Sequence, residues 1–330
     1  MRILSGVKPT GRPHLGNYFG AMRQFLELQE KGEGFYFVAD LHALDLLRDA
    51  EQLREYQLGV ALDYLAIGLD PERSTLFIQS HVPEVSELQW ILGSVTPLGQ
   101  LQRAHAYKDA LAKGKEVGFG LFAYPVLMAA DILLVRGDVV PVGKDQKQHV
   151  EITRDIAVKF NMTYCPEFDP ETGEGGVLTL PEPMILEDVA VVPGTDGRKM
   201  SKSYGNTIEL FAPDKAVKKA IMGVVTDSTP VEDPKDPDAC NVFALLQLFL
   251  DEAGQEELRA QYRAGGMGYG HFKKQLLEAF HETLDAARAR RAELEQNLDY
   301  VHEVLRKGAE RARAVGGEVL GDVQKACGLR

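Results

Sequence analysis

The chain of 330 residues is long enough for one large domain or two ordinary ones, and its composition, 45% hydrophobic and 26% charged, is usual for a globular protein. No apolar run approaches the roughly 18 to 20 residues that cross a bilayer, and the apolar start is too short for a signal peptide, so we expect a cytoplasmic protein without a membrane partner. The three cysteines, Cys165, Cys240 and Cys327, form no Cys-x-x-Cys pair, which argues against a zinc or iron–sulfur site.

The formal net charge of −12 argues weakly against nucleic-acid binding, but the charge is unevenly distributed. Residues 271–330 carry +1, whereas the other 270 residues carry −13. Charge alone leaves two interpretations open for the basic side chains of this last stretch, a solvated helical surface or contacts to phosphate. The residues concerned are Arg288, Arg290, Arg291, Arg306, Lys307, Arg311 and Arg313.

Strand and helix signals alternate in the first part of the chain. Short apolar runs predict buried parallel strands at residues 2–6, 35–39 and 75–79. Helical periodicity predicts helices at residues 15–30, 50–67 and 118–135. Gly68 follows the second of these helices as a stop signal. This alternation predicts an α/β sheet with crossover helices.

The signals change along the second part of the chain. A short strand is predicted at 139–142, followed by a helix at 145–161 that Asp145 is placed to cap. The Pro-, Gly- and Glu-rich residues 162–185 predict a loop. After residue 210 the strand signal fades and helical periods dominate, so an all-helical part is expected to follow the α/β part.

A strand-to-helix turn with the sequence Thr-Gly-Arg-Pro-His-Leu-Gly-Asn occupies residues 10–17. Such a turn directs unpaired backbone N–H groups and the positive end of the helix dipole toward an anion. Gly16 would let a flat group such as adenine approach the backbone, and His14 and Asn17 are candidate donors to phosphate oxygens. Considered alone, the segment is also compatible with an ordinary structural turn.

A second segment, Lys-Met-Ser-Lys-Ser at residues 199–203, has two lysines and two serines in a glycine-flanked loop. Lysine acts as a point charge on phosphate oxygens, so the segment suits a mobile clamp on a polyphosphate. The alternative is an exposed basic loop. The occurrence of this pentapeptide 185 residues after His14 favours the first interpretation.

Asp131 interrupts an otherwise apolar helical stretch, Tyr-Pro-Val-Leu-Met-Ala-Ala-Asp-Ile at residues 124–132. A buried carboxylate needs a hydrogen-bonding partner. That partner is either within the protein or an N–H group of a ligand. Indole would fit the second case, because it is flat and apolar and has a single donor.

Together, residues 10–17 and 199–203 resemble the HIGH and KMSKS signatures of class I aminoacyl-tRNA synthetases, which lie on either side of ATP in that family. The stretch around Asp131, with Val-Pro-Val-Gly-Lys-Asp-Gln-Lys-Gln-His at 140–149, resembles the tryptophan-specific branch, and the resemblance runs over nearly the whole chain. It implies an α/β fold with a Rossmann-like parallel-sheet catalytic domain, a helical connective insertion and an all-helical C-terminal domain. The implied bounds are 1–206 for the catalytic domain, about 100–180 for the insertion and dimer interface, and 207–330 for an anticodon-binding domain.

The resemblance also implies the residues of the site. The catalytic residues would be His14, Asn17, Lys199 and Lys202. The ATP site would consist of Lys8, Thr10, Gly16, Asn17, Gly143, Asp145, Val191, Lys199, Met200, Ser201, Lys202 and Ser203. The tryptophan pocket would consist of Leu4, Ala39, His42, Tyr124, Met128, Asp131, Val140, Val142 and Gln146.

The implied reaction is ATP-dependent ligation of L-tryptophan to tRNA(Trp) through tryptophanyl-adenylate, in a homodimer, with Mg²⁺ bound to the triphosphate and no metal bound by the protein itself. The tRNA 2′-hydroxyl would accept the amino acid, and no editing domain is expected. Phenylalanine would leave Asp131 unpaired, which predicts discrimination of order 10⁴ or more.

Two departures and three alternatives accompany this interpretation. Many family members have glutamine at the position of Lys8, so this lysine could strengthen carboxylate or phosphate binding or mark a subgroup with altered preferences. Lys108, Lys113 and Lys115 are all candidates for reaching the triphosphate. The alternatives are a tyrosyl enzyme with the same fold, an auxiliary copy of the tryptophanyl enzyme, and a nucleotidyltransferase with a related phosphate-binding turn.

Overall fold

The computed structural model describes residues 1–114, 116–143, 147–185 and 192–330. Its centre is a sheet of five parallel strands in the order β3–β2–β1–β4–β5. The strands are β1 (Arg2–Val7), β2 (Glu33–Val38), β3 (Ser74–Ile78), β4 (Val139–Val142) and β5 (Glu182–Ile185). In this order β1 is the first strand of the chain and lies in the middle of the sheet, which is the arrangement of a doubly wound α/β fold.

Helices precede, connect and follow these strands. Those up to the end of the sheet are α1 (Leu15–Asn17), α2 (Arg23–Leu28), α3 (Asp40–Ala43), α4 (Ala50–Ala66), α5 (Glu84–Val95), α6 (Leu98–Leu101), α7 (His105–Ala112), α8 (Phe119–Leu134) and α9 (Lys147–Tyr164). The later ones are α10 (Asp214–Met222), α11 (Asn241–Leu246), α12 (Glu252–Ala264), α13 (Tyr269–Glu295) and α14 (Leu298–Ala326). The predicted fold, an α/β sheet followed by helices, is confirmed.

Strand β5 corrects the prediction that residues 162–185 form a loop. It pairs with β4 along its whole length, from Glu182 opposite Val139 to Ile185 opposite Val142. Pro183 has no N–H to donate, and a strand at the edge of a sheet tolerates that loss. In sequence, a short segment that contains proline and has polar neighbours resembles a loop. Only the pairing with β4 identifies β5 as a strand.

The helix predicted at 15–30 is interrupted by a π-helical segment, Tyr18–Met22, between α1 and α2. Its Gly20 and Ala21 line the cavity described below.

The helix predicted at 50–67 has the expected ends. The Asp49 carboxylate accepts from the N–H groups of Glu51 and Gln52, both at 2.9 Å, and Gly68 follows at φ +111°.

Buried apolar side chains form one cluster on each face of the sheet, because neighbouring residues of a strand point to opposite faces. On β2, Tyr36 belongs to one cluster and Phe37 to the other. Helix α14 packs along the edge strand β3 and contributes to both clusters, Leu305 to one and Ala312 to the other. It therefore covers the hydrogen-bonding edge that β3 would otherwise expose.

The topological switch point lies between β1 and β4, whose connections run to opposite sides of the sheet. In open α/β sheets, ligands bind beyond the carboxyl ends of the strands at this point. Those ends are Val7 in β1 and Val142 in β4. No helix within the part of the chain that the structure describes is both long and apolar enough to span a membrane.

Candidate active site

A cavity of about 730 Å³ opens at the switch point, beyond the carboxyl ends of β1 and β4. Its size is within the roughly 300–1,000 Å³ usual for small-molecule sites. Every described residue of the predicted tryptophan pocket lines it: Leu4, Ala39, His42, Tyr124, Met128, Asp131, Val140 and Val142. Lys8 and Gly143, which were predicted for the nucleotide site, also line it. The structure thus brings together residues from four separate segments of the sequence.

Asp131 is the buried carboxylate of this cavity, on α8, with 5% of its surface exposed. Its Oδ2 lies 2.8 Å from Nε2 of His42, and its Oδ1 accepts from Nε2 of Gln79 at 2.7 Å. Burial raises the pKa of Asp131, and the hydrogen bonds from His42 and Gln79 oppose that rise. The carboxylate therefore has two donors within the protein, and each oxygen keeps accepting capacity.

These contacts correct the expected basis of discrimination against phenylalanine. A bound phenylalanine would leave Asp131 without an indole N–H, but the carboxylate would keep His42 and Gln79. The cost of a completely unpaired buried carboxylate therefore does not apply. The loss of a single hydrogen bond to a charged group, about 1.5–3 kcal/mol, is the appropriate scale.

Three polar side chains that line the cavity, Lys8, Tyr124 and His149, lie next to one another. The Lys8 Nζ lies 5.7 Å from the centre of the Tyr124 ring, and the Tyr124 hydroxyl lies 2.7 Å from Nε2 of His149. Burial lowers the pKa of Lys8, and the negative charge of Asp45 opposes that shift. Burial also raises the pKa of Tyr124 to about 12, so its hydroxyl is neutral. A cation at the mouth of the cavity suits an anionic ligand group.

The turn at residues 10–17 lies between the cavity-lining residues Lys8 and Gly20 in the sequence, and it is anchored to the segment that follows the second signature. The N–H of Leu15 donates to Ile208 O at 2.9 Å, and the N–H of Leu210 donates to Pro13 O at 3.1 Å. The side chain of Asn17 accepts from the N–H of His14 at 3.1 Å. A Cβ on residue 16 would lie 2.9 Å from Nδ1 of His14, so glycine at this position makes room for the imidazole.

His14 is 7% exposed, and its Nδ1 has no hydrogen-bond partner among the described residues. Burial, with a smaller contribution from the positive charge of Lys202, lowers the pKa of His14 to about 4. The ring is therefore neutral at pH 7, where it can donate one hydrogen bond but adds no positive charge.

The loop at residues 199–203 reaches the first signature. The Lys202 Nζ donates to the backbone oxygen of Thr10 at 3.3 Å. Met200 is buried, whereas Lys199 and Ser203 are exposed, and the hydroxyls of Ser201 and Ser203 lie 2.9 Å apart. The two signatures, far apart in sequence, are thus adjacent in space, as predicted.

Asn206 holds this loop in shape from within. Its Oδ1 accepts from the N–H of Ser201 at 2.8 Å, and its Nδ2 donates to Asp196 at 2.6 Å and to Lys199 O at 3.2 Å. The side chain is almost completely buried. One amide therefore pairs polar groups from three residues of the loop, which defines the loop's conformation.

Four of the predicted residues lie outside the described ranges. Asp145, Gln146, Val191 and Lys115 belong to the parts of the chain that the structure leaves out. Lys108 lies on α7, next to the cavity-lining Asp109, and both Lys108 and Lys113 are exposed. Among the described residues, no three or more His, Cys, Asp or Glu side chains are grouped to hold a metal ion.

The seven basic residues near the C-terminus all have acceptors within the chain, which favours the interpretation of a structural surface. Three of them connect distant segments: Arg288 donates to Leu210 O at 2.7 Å, Arg291 to Asp63 at 2.6 Å and Arg313 to Glu84 at 3.0 Å. Arg311 reaches Pro71 O, and the other three pair with glutamates of their own helices: Arg290, Arg306 and Lys307.

Sequence reasoning missed three polar residues that the geometry brings into the site: Gln79, His149 and Asn206. Asn206 follows the second signature directly, and His149 is in the stretch that carried the resemblance, so position was a usable signal for both. Gln79 ends a predicted strand that also belongs to the resemblance, but nothing there indicated a partner for its amide.

Comparison with known proteins agrees with the geometry. The family model described as tRNA synthetases class I (W and Y) matches residues 1–285. A tryptophan–tRNA ligase of Fusobacterium nucleatum is 53% identical over 328 residues, which cover 99% of this chain and 98% of the relative. One of Rhodopirellula baltica is 52% identical over 330 residues and covers 100% of both chains.

A solved structure has the same fold. The tryptophanyl-tRNA synthetase of Campylobacter jejuni, complexed with ADP and tryptophan, is 49% identical, covers 99% of this chain and 100% of its own, and superposes with a TM-score of 0.90. The chain belongs to the class I tRNA synthetases and, within them, to the tryptophanyl-tRNA synthetase family.

Proposed function

We propose that the chain ligates L-tryptophan to tRNA(Trp), using ATP to form tryptophanyl-adenylate and releasing AMP and pyrophosphate. The observation that carries the proposal is the position of a buried acceptor, Asp131, inside an apolar cavity whose lining includes Lys8 and Gly20, the residues on either side of the first signature in the sequence. Full-length relatives named tryptophan–tRNA ligase support the choice of amino acid.

The indole of tryptophan would lie among the apolar side chains of the cavity, with its N–H donating to Asp131. Met128 and Val142 provide apolar walls, and the amino and carboxylate groups would face the polar end near Lys8 and Tyr124. Gln146 would contribute to binding the amino group, as the family resemblance implies. The positive charge of Lys8 would pair with the carboxylate or with the α-phosphate.

ATP would bind between the two signature loops. His14 would donate to a phosphate oxygen as a neutral imidazole, because burial lowers its pKa to about 4. Lys199 and Lys202 would provide the positive charge, with Asn17 and the serine hydroxyls as further donors. Gly16, Gly143, Asp145 and Val191 would contact adenine and ribose, and Mg²⁺ would arrive coordinated by the triphosphate oxygens.

The main task of the protein in this reaction is to position the reactants rather than to form covalent bonds with them. The tryptophan carboxylate would attack the α-phosphorus in line, the bond to the pyrophosphate oxygen would break, and the leaving charge would be stabilised by Lys199 and Lys202. The tRNA 2′-hydroxyl would then attack the adenylate carbonyl and displace AMP.

The tRNA would bind along a basic surface on the helices after residue 207, the proposed anticodon-binding domain. The side chains of four lysines there make no hydrogen bond or ion pair with any described residue: Lys215, Lys218, Lys219 and Lys274. The start of α13 lies against the end of α10, where Lys273 donates to Met222 O at 3.0 Å. Lysines free of acidic partners can contact phosphates without first breaking an ion pair.

Salt-dependent binding of tRNA would test this surface. Lys218→Ala and Lys219→Ala should each weaken binding and lower the salt slope by about one, since each removes one phosphate contact. Arg306→Ala is the matched control, because Arg306 is engaged by Glu303 and Glu310. Equal losses in all three variants would argue against the assignment.

The protein would act as a homodimer through the region around residues 100–135 and the neighbouring α5. Two large aromatic side chains are almost fully exposed there, Trp90 at 80% and Phe119 at 77%. They flank an apolar groove of about 330 Å³ that also includes Leu101 and Val126. Exposed aromatic patches of this kind are typical of protein interfaces. We place the reaction in the cytoplasm, where such an enzyme would meet its tRNA.

Amino-acid-dependent exchange of labelled pyrophosphate into ATP tests the reaction and the pocket together. With each of the twenty amino acids, wild type should show exchange with tryptophan only, and Asp131→Ala should lose this exchange or accept other amino acids. Exchange with tyrosine would identify the sister activity, and no exchange at all would refute the proposed enzyme.

A further inference from the structure

Gln79 is a fully buried amide just behind the wall of the cavity. It begins the short 3₁₀ turn Gln79–His81 after β3, and it does not line the cavity itself. Its Oε1 accepts from the backbone N–H of Leu41 at 3.1 Å, and its Nε2 donates to Oδ1 of Asp131 at 2.7 Å. The amide can have only this orientation, because the reverse one would place its N–H groups against the N–H of Leu41 and its oxygen against the carboxylate.

The other oxygen of Asp131 is held by the next residue of the same segment. Leu41 and His42 are neighbours on α3, and Nε2 of His42 lies 2.8 Å from Oδ2 of Asp131. With a separate donor on each oxygen, the carboxyl group cannot rotate freely about its terminal bond. Its remaining lone pairs therefore keep a fixed direction, and Asp131 is the buried one among the carboxylates that line the cavity.

We propose that Gln79 is a positioning residue for tryptophan selectivity. By donating to Oδ1, it keeps the Asp131 carboxyl group directed toward the indole N–H and keeps it in the ionised form, which only accepts hydrogen bonds. This inference rests on the proposed function. Gln79 acts through Asp131 and would not touch the amino acid.

The charge balance around Asp131 supports this role. Burial raises the pKa of Asp131, the nearby Asp40 raises it further, and the hydrogen bonds from His42 and Gln79 lower it. Removing the Gln79 donor therefore favours the protonated carboxyl group. A protonated Asp131 offers a hydroxyl and a weaker acceptor to the indole N–H, and it would recover its acceptor form at higher pH.

The test compares tryptophan with its analogue benzothienylalanine, in which sulfur replaces the ring N–H, by pyrophosphate exchange. In Gln79→Met the preference for tryptophan should fall about 10-fold, through KM for tryptophan rather than kcat, and it should recover as pH rises. In the Asp131→Asn background, Gln79→Met should leave the preference unchanged, because the group through which Gln79 acts is gone.

Gln324→Met is the matched control. Gln324 is also a buried glutamine, and it donates to Glu87 where α14 packs on α5. This variant should lose stability without changing the preference or its pH profile. If Gln79→Met does not fold, Gln79→Glu gives a second test with the opposite sign: its carboxyl group can donate to Asp131 only when protonated, so the preference should fall as pH rises.

The outcomes distinguish the positioning role of Gln79 from the proposed function. An unchanged preference in folded Gln79→Met, or a change of equal size in the Asp131→Asn background, would overturn the positioning role while wild-type exchange stands. Absence of tryptophan-dependent exchange in wild type would refute the proposed function instead.

Discussion

The Lys202 Nζ donates to the backbone oxygen of Thr10 at 3.3 Å and so joins the two loops between which ATP is proposed to bind. Asp63 and Glu209 are the acidic groups near this lysine, and burial lowers its pKa. We expect Lys202→Ala to lower kcat for pyrophosphate exchange about 100-fold, because charge that develops on the leaving phosphates would lose a preorganised cation.

Lys31→Ala, at an exposed turn between α2 and β2, should leave exchange unchanged and serves as the control. Steady-state kinetics with varied ATP would separate kcat from KM. A Lys202→Ala variant with wild-type kcat would exclude this lysine from the chemical step.

Asn206 pairs Ser201, Lys199 and Asp196 at once, so we expect Asn206→Ala to loosen the second signature loop. The change leaves a backbone N–H and a carbonyl without their partner, at about 1–3 kcal/mol for each buried group. KM for ATP should rise about 10-fold or more, with little change in KM for tryptophan. Asn161→Ala is the control, because Asn161 is also buried and bridges both backbone groups of Leu178, away from the loop. Equal effects of both variants on KM for ATP would contradict a local role.

The residues that sequence reasoning identified lie in contiguous motifs. The turn at 10–17, the loop at 199–203 and the stretch around Asp131 each carry their pattern within about ten residues, and strands β1 to β4 are apolar runs. Four of the five strands of the parallel sheet could therefore be predicted.

The missed features depend on contacts between distant residues. Gln79 and Asp131 are 52 positions apart, and nothing near Gln79 in the sequence indicates the pairing. Strand β5 contains Pro183 and exists through its pairing with β4. Arg291 and Arg313 left phosphate contact open, because their acceptors, Asp63 and Glu84, lie more than 200 residues away.

The low pKa of His14, about 4 against 6.5 in an exposed histidine, links the stability of the fold to pH. Between these values the unfolded chain binds a proton that the folded protein does not, so the free energy of unfolding falls as pH falls. Between pH 7 and pH 5, the free energy of unfolding of wild type should therefore fall by about 1–2 kcal/mol more than that of His14→Asn.

Urea unfolding of both proteins at the two pH values measures this difference. His302→Asn, which removes an exposed imidazole from α14, controls for the loss of a histidine as such. Parallel pH dependence of wild type and His14→Asn would mean that His14 does not carry the effect.

Gly308 allows α14 to touch the edge strand β3. A Cβ at this position would lie 1.8 Å from the backbone oxygen of Leu76, so Gly308→Ala must push the helix away from the sheet. We expect a loss of about 2–3 kcal/mol in the free energy of unfolding, as for other overpacked sites. Gly317 lies on the same helix with open space around it, and Gly317→Ala should stabilise by about 0.5–1 kcal/mol through helix propensity. Shifts of the same sign in the two variants would show that α14 does not pack on β3 as closely as described.

Trp90 is the only tryptophan of the chain and lies 80% exposed beside Phe119, which makes it both a proposed interface residue and its own reporter. We expect Trp90→Glu to weaken dimerisation by about 2 kcal/mol or more, a factor of about 30 in Kd, because a charge would replace a large apolar contact. Light scattering after size exclusion would measure the mass, and Met162→Glu, at an exposed apolar residue of α9, is the control.

In wild type, Trp90 fluorescence should shift to the red on dilution as the ring becomes hydrated. A wild type that is monomeric at micromolar concentration would refute the dimer, whereas a Trp90→Glu variant that stays dimeric would place the interface elsewhere, since a buried unpaired carboxylate could not be tolerated at its centre.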